Sequence, residues 1–310
     1  MAATSVALII PVRNGARYMD RLLPALRSQT LQPDELLVVD SASTDGGAQR
    51  WRQYGARVLP VDPAQFNHGG TRGWASTQVT ADILIYMTQD AVPANPQSFE
   101  RLVAGLLRDE RIGTAYGRQL PHPDAGVLAQ HARAFNYTDT SRVKWTSDAP
   151  ELGIKTCFSS DAFAAYRRDV LTQVGGFPQD VIGSEDAYVA GRMLLAGYGV
   201  AYVADAQVSH SHDYSVVEEF KRYFDIGVFY SRERWIRHAF GGAGGEGGRF
   251  VRSELAAVMG AGRWWQVPEV LVRSAAKLAG YRLGHWERRL PVSIKRKVGM
   301  FPGYWKGQQG

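Results

Sequence analysis

One cysteine, Cys157, stands in a chain of 310 residues, so no disulfide can close within it. That is compatible with a reducing compartment without requiring one. No run reaches the roughly 18 apolar residues that span a bilayer. The apolar start, MAATSVALIIPVRNG, is short, has no charge before it, and ends in Pro and Arg. It reads as a first strand rather than a signal peptide, and the expected location is the cytoplasm. Acid is scarce in one region only. From Val270 onward nine Lys and Arg face a single acid, Glu287, so the tail carries 9 − 1 = +8 of a net +6 and residues 1–269 carry 6 − 8 = −2. A basic excess confined to the tail, over a slightly acidic body, argues against a nucleic-acid-binding protein despite a pI of 9.4 and eight Trp.

What is present is ordinary globular composition, 45% hydrophobic and 21% charged, enough to bury a large core. The length suits one large α/β domain, or a domain with an appendage. Val6–Pro11, Glu35–Asp40, Ala56–Val61 and Ile83–Thr88 read as strands. They alternate with helical patterns, among them Arg17–Gln29 and Thr71–Val79. The alternation predicts βαβ units and a parallel sheet, with residues 1–100 as a nucleotide-binding half. A helix over Pro96–Leu107, a strand over Ile112–Gln119 and a strand entering a turn over Thr156–Tyr166 follow. Then come a short helix over Arg167–Val174 and a helix from Ser184 through Leu195. Val200–Val203 and Gln207–Ser209 read as two short strands, and Val216–Arg237 as one long helix. Pro121–Pro150 has no assignable pattern. Residues 239–248, which include the whole six-glycine run FGGAGGEGG, read as a linker. It joins a body at 1–238, whose acceptor and metal half is 101–238, to a helical basic region at 249–310.

Open α/β sheets bind ligands at the carboxyl ends of their strands. Asp90 stands at such an end in LIYMTQDAVP, and Asp40 ends the second strand with Ser41 and Asp45 just after it. For Asp90 and Asp45 a turn-capping role stays open beside a ligand-binding one. Glu185 and Asp186 open a helix after the glycine-containing GGFPQDVIGS. They either meet the helix dipole or place a general base near substrate. His210 and His212 alternate about Ser211 and would face one side of a strand. That spacing suits a metal or phosphate, or one buried and one exposed histidine. A hard cation would take Asp90, diphosphate oxygens, water and an imidazole, which tilts the choice toward Mn2+ over Mg2+. The lack of a cysteine cluster weighs against zinc. Asn67-His68-Gly69-Gly70-Thr71-Arg72 resembles a phosphate cradle at a helix start, and Arg72 there can meet a diphosphate bidentately. This loop matches neither a P-loop nor G-x-G-x-x-G, which weakens nucleoside-triphosphatase and dinucleotide readings.

Taken together and in order, VALIIPVRNG, ELLVVDSASTDG, FNHGGTR, ILIYMTQDAVP, CFSSDAFAAYRRDVL, VGGFPQDVIGSEDAYVAGRML and VSHSHDYS resemble family 2 inverting glycosyltransferases, over residues 5–235. The likeness is greatest to bacterial rhamnosyltransferases that build O-antigen or other surface polysaccharide. The resemblance implies a GT-A fold, an α/β (Rossmann-like), mostly parallel sheet flanked by helices. It implies that Pro11, Arg13, Asn14, Asp40, Ser41 and Asp45 bind nucleotide. Asn67, Gly69 and Arg72 would lie near base, ribose or diphosphate, with Gln89 beside them. Asp90 would be the surviving acid of the family's D-x-D motif. Gln89 replaces its first acid and Ala91 fills the third position, which thins the metal site. His210 stands where such enzymes supply a metal-binding histidine, with His212 as the alternative. Asp186 would be the base, with Glu185 as the alternative, and Asp161 and Arg192 would border acceptor or diphosphate. The reaction implied is inverting transfer of L-rhamnose from dTDP-L-rhamnose to a lipid-linked glycan, with a divalent cation, Mn or Mg. Two other readings are another nucleotide sugar as donor, and a non-catalytic sugar-nucleotide or glycan-binding subunit. In the tail, Trp264, Trp265, Leu271, Val272, Leu278 and Trp286 interleave with the basic residues. They suit either the inner face of the cytoplasmic membrane or a packed helix pair with a solvated basic face.

Overall fold

A computed structural model of the chain describes residues 4–242 and 244–306. The ends of the chain and Ala243 of the expected linker lie outside the described residues. Strands β1 (Val6–Val12), β2 (Glu35–Asp40), β3 (Arg57–Pro60) and β4 (Ile83–Met87) form from the apolar, β-branched runs. Helices α1 (Met19–Arg27), α2 (Gly47–Tyr54) and α3 (His68–Ser76) connect them. β1 pairs parallel with β2 and β4, and β2 with β3. Along β1 the side chains alternate between two cores. Leu8 and Ile10 meet Leu22 and Phe99 on one face, and Ile9 meets Tyr86 and Tyr166 on the other.

The second half adds β5 (Val92–Pro93), α4 (Ser98–Leu107), β6 (Ile112–Leu120), α5 (Val127–Asn136), β7 (Arg142–Lys144) and α6 (Ala149–Leu152). Then follow β8 (Phe163–Arg167), α7 (Arg168–Gln173), α8 (Glu185–Leu195) and β9 (Gly199–Ser209). The strand order is β3-β2-β1-β4-β8-β6-β9-β5, with β7 paired to β9. β8 runs antiparallel to β4 and β6, while β6 and β9 are parallel. One edge therefore collects the carboxyl ends of β1, β2, β4, β6 and β9 together with the start of β8. The stretch that showed no pattern, 121–150, supplies α5 and β7. The two short strands expected near Asp205 are one strand, whose register against β6 jumps from Val203 to Gln207.

The expected helix over 216–237 breaks at Glu233 into α9 (Val216–Arg232) and α10 (Arg234–Phe240). The glycine run is shorter as a linker than expected, because Glu246 opens α11 (Glu246–Gly260) and ion-pairs with Lys155. α12 (Val267–His285) and α13 (Val292–Val298) complete the tail. α12 lies against α9 backbone to backbone. A Cβ on Gly227, Gly280 or Gly284 would collide with the main chain of the facing helix. Trp305 enters the core, and Glu287 is wholly buried between Arg232 at 3.0 Å and Lys295 at 2.6 Å. The tail thus packs on the body. No described helix is long and apolar enough to cross a membrane.

Candidate active site

Three side chains converge at the shared edge. Asp90 sits in the turn after β4, and His210 and His212 follow β9. His210 Nε2 lies 3.5 Å from one Asp90 oxygen and His212 Nε2 3.8 Å from the other. One ligand atom from each falls within 4.8 Å of the others. Burial would raise the Asp90 carboxyl, but the hydrogen bond and charge of His210, with help from His212, hold it well below the usual range. Burial, with His210 beside it, pushes His212 down to about 4, so its imidazole is neutral at pH 7.

The tautomer of His210 follows from its neighbours. Arg133 on α5, which can only donate, gives an N–H to Gln119 Oε1 at 2.8 Å. The Gln119 amide donates to Ser160 Oγ at 2.7 Å. The amide is therefore oriented, and the atom 2.9 Å from His210 Nδ1 is an oxygen. Nδ1 must carry the proton and donate, so Nε2 is the ring nitrogen that faces Asp90, where it can give a proton to the carboxylate or, without that proton, a lone pair to a cation. Gln119 and Arg133 stand behind His210 in this chain of bonds, and sequence reasoning missed both. The only signal was that β6 would end at this edge.

The nucleotide-side loops lie at the ends of β1 and β2. The Gln89 side chain accepts the Arg13 N–H at 2.8 Å and donates to the Arg13 carbonyl at 3.0 Å. Asn14 accepts the Thr44 N–H at 2.9 Å, and its own N–H donates to Ser43 Oγ at 2.9 Å. Asp40 accepts the Ser43 N–H at 3.3 and 3.4 Å. Asp45 accepts the N–H groups of Ala16 and Gly47, which hold its carboxyl below the ordinary range. Pro11, within β1, is half-buried. Ser41 is buried, and its hydroxyl has no hydrogen-bond partner among the described residues.

A buried acid cluster forms the third part. Asn67 caps α3 by accepting the Gly70 N–H at 2.8 Å, which starts the helix three residues earlier than expected. Gly69 and Arg72 are thus inside a helix. A Cβ on Gly69 would strike the Pro178 carbonyl, so this motif packs α3 against the loop before α8. Arg72, buried, pairs with Glu185 at 2.8 Å and Asp161 at 3.2 Å. The expected phosphate cradle gives way to a guanidinium committed to two carboxylates. Asp161 also accepts from the Tyr166 hydroxyl at 2.5 Å, and its N–H donates to Asp186 at 3.3 Å. Burial pushes Asp161 up to about 6 despite Arg72. Burial, then the charges of Glu185 and Asp161, push Asp186 up to about 8. Glu185 is held low, because Arg72 and then His68 outweigh its burial. Two carboxylates pair with the guanidinium and Asp186 does not, so of the three acids its proton affinity is raised furthest.

Such an edge suits transfer from a diphosphate donor with a cation and a single base. A family model described as Glycosyl transferase family 2 matches residues 7–175. The O-antigen chain rhamnosyltransferase of Salmonella anatum is 43% identical over 98% of this chain and 97% of its own. That of Salmonella typhimurium is 45% identical over the same shares. The chain belongs to glycosyltransferase family 2. In fold the transferase is similar to a mannosyltransferase from Pyrobaculum calidifontis solved with GDP-Man and Mn2+. That likeness has a TM-score of 0.57 at 18% identity, over 97% of this chain and 85% of the other. It is also similar to S. aureus TarS solved with UDP, with a TM-score of 0.52 at 18% identity over 92% and 91%. These likenesses agree with a GT-A architecture.

Backbone strain in the transferase gathers at the same edge. Among the described residues, Asn14, Ala42 and Ser184 are the non-glycine positions with φ in the left-handed region, at 49°, 52° and 60°. Two lie in the loops after β1 and β2, and the third immediately precedes Glu185 and Asp186. Such conformations persist where surrounding structure over-determines them, commonly at binding sites. Arg192 is not drawn in. It lies six residues beyond Asp186, about 9 Å along α8, and is exposed.

Proposed function

We propose that this glycosyltransferase moves L-rhamnose from dTDP-L-rhamnose, with inversion, to a hydroxyl of a lipid-linked glycan in bacterial surface-polysaccharide synthesis. It would work in the cytoplasm at the inner face of the membrane. The near end-to-end identity to two O-antigen chain rhamnosyltransferases supports the donor and the setting. The observation that carries the site reading is the single edge bearing both the Asp90, His210 and His212 triad and the proton-binding Asp186.

Asp90, His210 and His212 fit a divalent cation, since one ionised carboxylate and two imidazole nitrogens lie within coordinating reach of one point. Mixed oxygen and nitrogen donors favour Mn2+ over Mg2+. Bound there, the cation would supply positive charge to the departing diphosphate. Arg13, Asn14, Asp40, Ser41 and Asp45 shape the pocket for base and ribose, and the orphan Ser41 hydroxyl is free to bond a ligand. Asp186 takes the acceptor proton, with Asp161 beside it on the acceptor side. One carboxylate suffices as base because the leaving diphosphate is stabilised, whereas a glycoside hydrolase needs two opposed carboxyls.

A donor screen tests this, reading nucleotide release from dTDP-rhamnose, UDP-, GDP- and other dTDP-sugars with Mn2+ or Mg2+ and a lipid-linked acceptor. dTDP-rhamnose should be turned over at least about tenfold faster than any other. Faster release from another donor would replace the rhamnose assignment, and tight dTDP binding without release would favour a binding subunit.

Gln119→Leu should weaken Mn2+ binding by about tenfold, because nothing then fixes the His210 tautomer. Titration calorimetry with the metal alone reads this. Wild-type affinity in that variant would remove Gln119 from the site. Asp90→Ala should abolish the metal dependence of dTDP binding, so that dTDP affinity becomes the same with and without chelator.

A further inference from the structure

α12 is built inside out for a helix on a globular surface. Its exposed positions are Pro268, Leu271, Val272, Ala275, Leu278 and Ala279, followed by Arg282. Their spacing places them on one face of the helix. The charged residues are turned inward instead. Arg273 pairs with Glu269 at 2.8 Å and with Glu219 at 3.4 Å, and Lys277 pairs with Glu219 at 3.3 Å. Helices packed on a soluble body normally show the opposite arrangement.

Aromatic residues and cations frame this face. Trp264 and Trp265, 68% and 60% exposed, precede the helix, and Trp286, 62% exposed, follows it. Arg263, Arg282, Arg288 and Arg289 are exposed around them. From residue 246 to 306 every acid (Glu246, Glu254, Glu269, Glu287) is buried or half-buried. The exposed charge of this region is therefore mostly positive, the exception being the Glu269 carboxylate, 41% exposed and paired to Arg273.

We propose that the outer face of α12 docks on a bilayer containing anionic lipid. This deepens the lipid-linked acceptor reading and rests on it. An apolar stripe about 17 Å long, from Pro268 to Ala279 at 1.5 Å per residue, lies in the plane of the interface. The tryptophans sit at headgroup depth, and the arginines meet lipid phosphate. A second copy of the chain does not suit this face, because it would set the exposed arginines of both copies together, with only the Arg273-paired Glu269 near them. The inner side of α12 touches the catalytic edge. Arg273 donates to the Tyr214 carbonyl at 2.7 Å, two residues past His212. One helix thickness thus separates the histidine loop from the lipid, within reach of a headgroup-linked sugar.

The test uses the full-length protein and sedimentation with phosphatidylcholine vesicles, neutral or with about a third phosphatidylglycerol. Wild type should bind the anionic vesicles. Leu271→Gln/Val272→Gln/Leu278→Gln and, separately, Trp264→Ser/Trp265→Ser should each weaken binding at least about tenfold. Arg282→Glu/Arg289→Glu should erase the preference for anionic over neutral lipid. All three variants alter exposed side chains and should keep the wild-type melting temperature and nucleotide release with a water-soluble acceptor. Wild type that stays in the supernatant, or variants that bind like wild type, would overturn the docking face. So would a wild-type dimer in sedimentation velocity that the first variant dissolves, since the occupant would then be a second copy. Nucleotide release read without vesicles keeps this outcome separate from the donor assignment.

Discussion

Asp186→Asn is expected to lower turnover about a thousandfold while leaving dTDP affinity within about twofold of wild type. The variant keeps the shape of the side chain, and the amide can still accept the Asp161 N–H through its oxygen. What it loses is proton affinity. In the wild type that affinity is raised, because burial and the charges of Glu185 and Asp161 disfavour the carboxylate. Arg72 works the other way, and Tyr166 bonds Asp161 behind it. The sign of the pH dependence follows. Below about 8 the carboxyl is mostly protonated, so kcat/KM should climb with pH and level off above that value. Stability runs in the opposite direction. The folded state holds this proton more tightly than the unfolded chain, so its contribution is full below the unfolded value of 3.8 and is lost as pH rises through about 8. Arg72→Leu should move the kinetic inflection to still higher pH. A flat pH profile together with near-wild-type turnover in the Asn variant would place the base on another group.

Glu287→Ala should cost about 3 kcal/mol and lower the melting temperature by about 5–10 °C. This is the single acid of the basic tail, and it is wholly buried between Arg232 on α9 and Lys295 on α13. Removing it strands the buried Lys295 ammonium and takes one partner from Arg232, which keeps its bond to the Tyr304 hydroxyl at 2.8 Å. Replacing both Glu287 and Lys295 by apolar residues should therefore cost less than the single change. A double variant less stable than the single would show that the bridge itself, rather than the stranded charge, carries the stability. Burial opposes ionisation of Glu287, but Arg232 and Lys295 prevail and hold its carboxyl low. Its contribution is present above the unfolded value of 4.5 and fades as pH falls below it.

Residues whose place depends on strand ends were legible in the sequence. Asp40, Asp90 and His210 each follow an apolar run, and parallel strands bring such ends together whatever the loops do. Arg72 was misplaced because its helix was started at Thr71. Recognising Asn67 as the cap would have put Gly69 and Arg72 on helical faces, turned toward the acids rather than toward a phosphate. Gln119 was out of reach for another reason. Its partner His210 lies 91 residues away, and only the register of β6 against β9 joins them. In the tail, counting charge showed Glu287 to be alone but not that it was buried. The hydrophobic pattern of α12 showed apolar residues at helical spacing without showing which side met solvent.

The reciprocal bonds between Gln89 and Arg13 give the residue before Asp90 a task that an acid could not perform. An aspartate at position 89 would restore the acid expected of a D-x-D motif, yet here it would be a lesion. It has no N–H to give the Arg13 carbonyl, it is one methylene too short to span the gap, and its charge would sit one residue from Asp90. Gly15 is fitted to the same amide, since a Cβ there would collide with the Gln89 side chain. Positions 15 and 89 are thus interlocked. A side chain at 15 would push the Gln89 amide off the Arg13 backbone, so the glycine after β1 and the glutamine after β4 hold one arrangement in place.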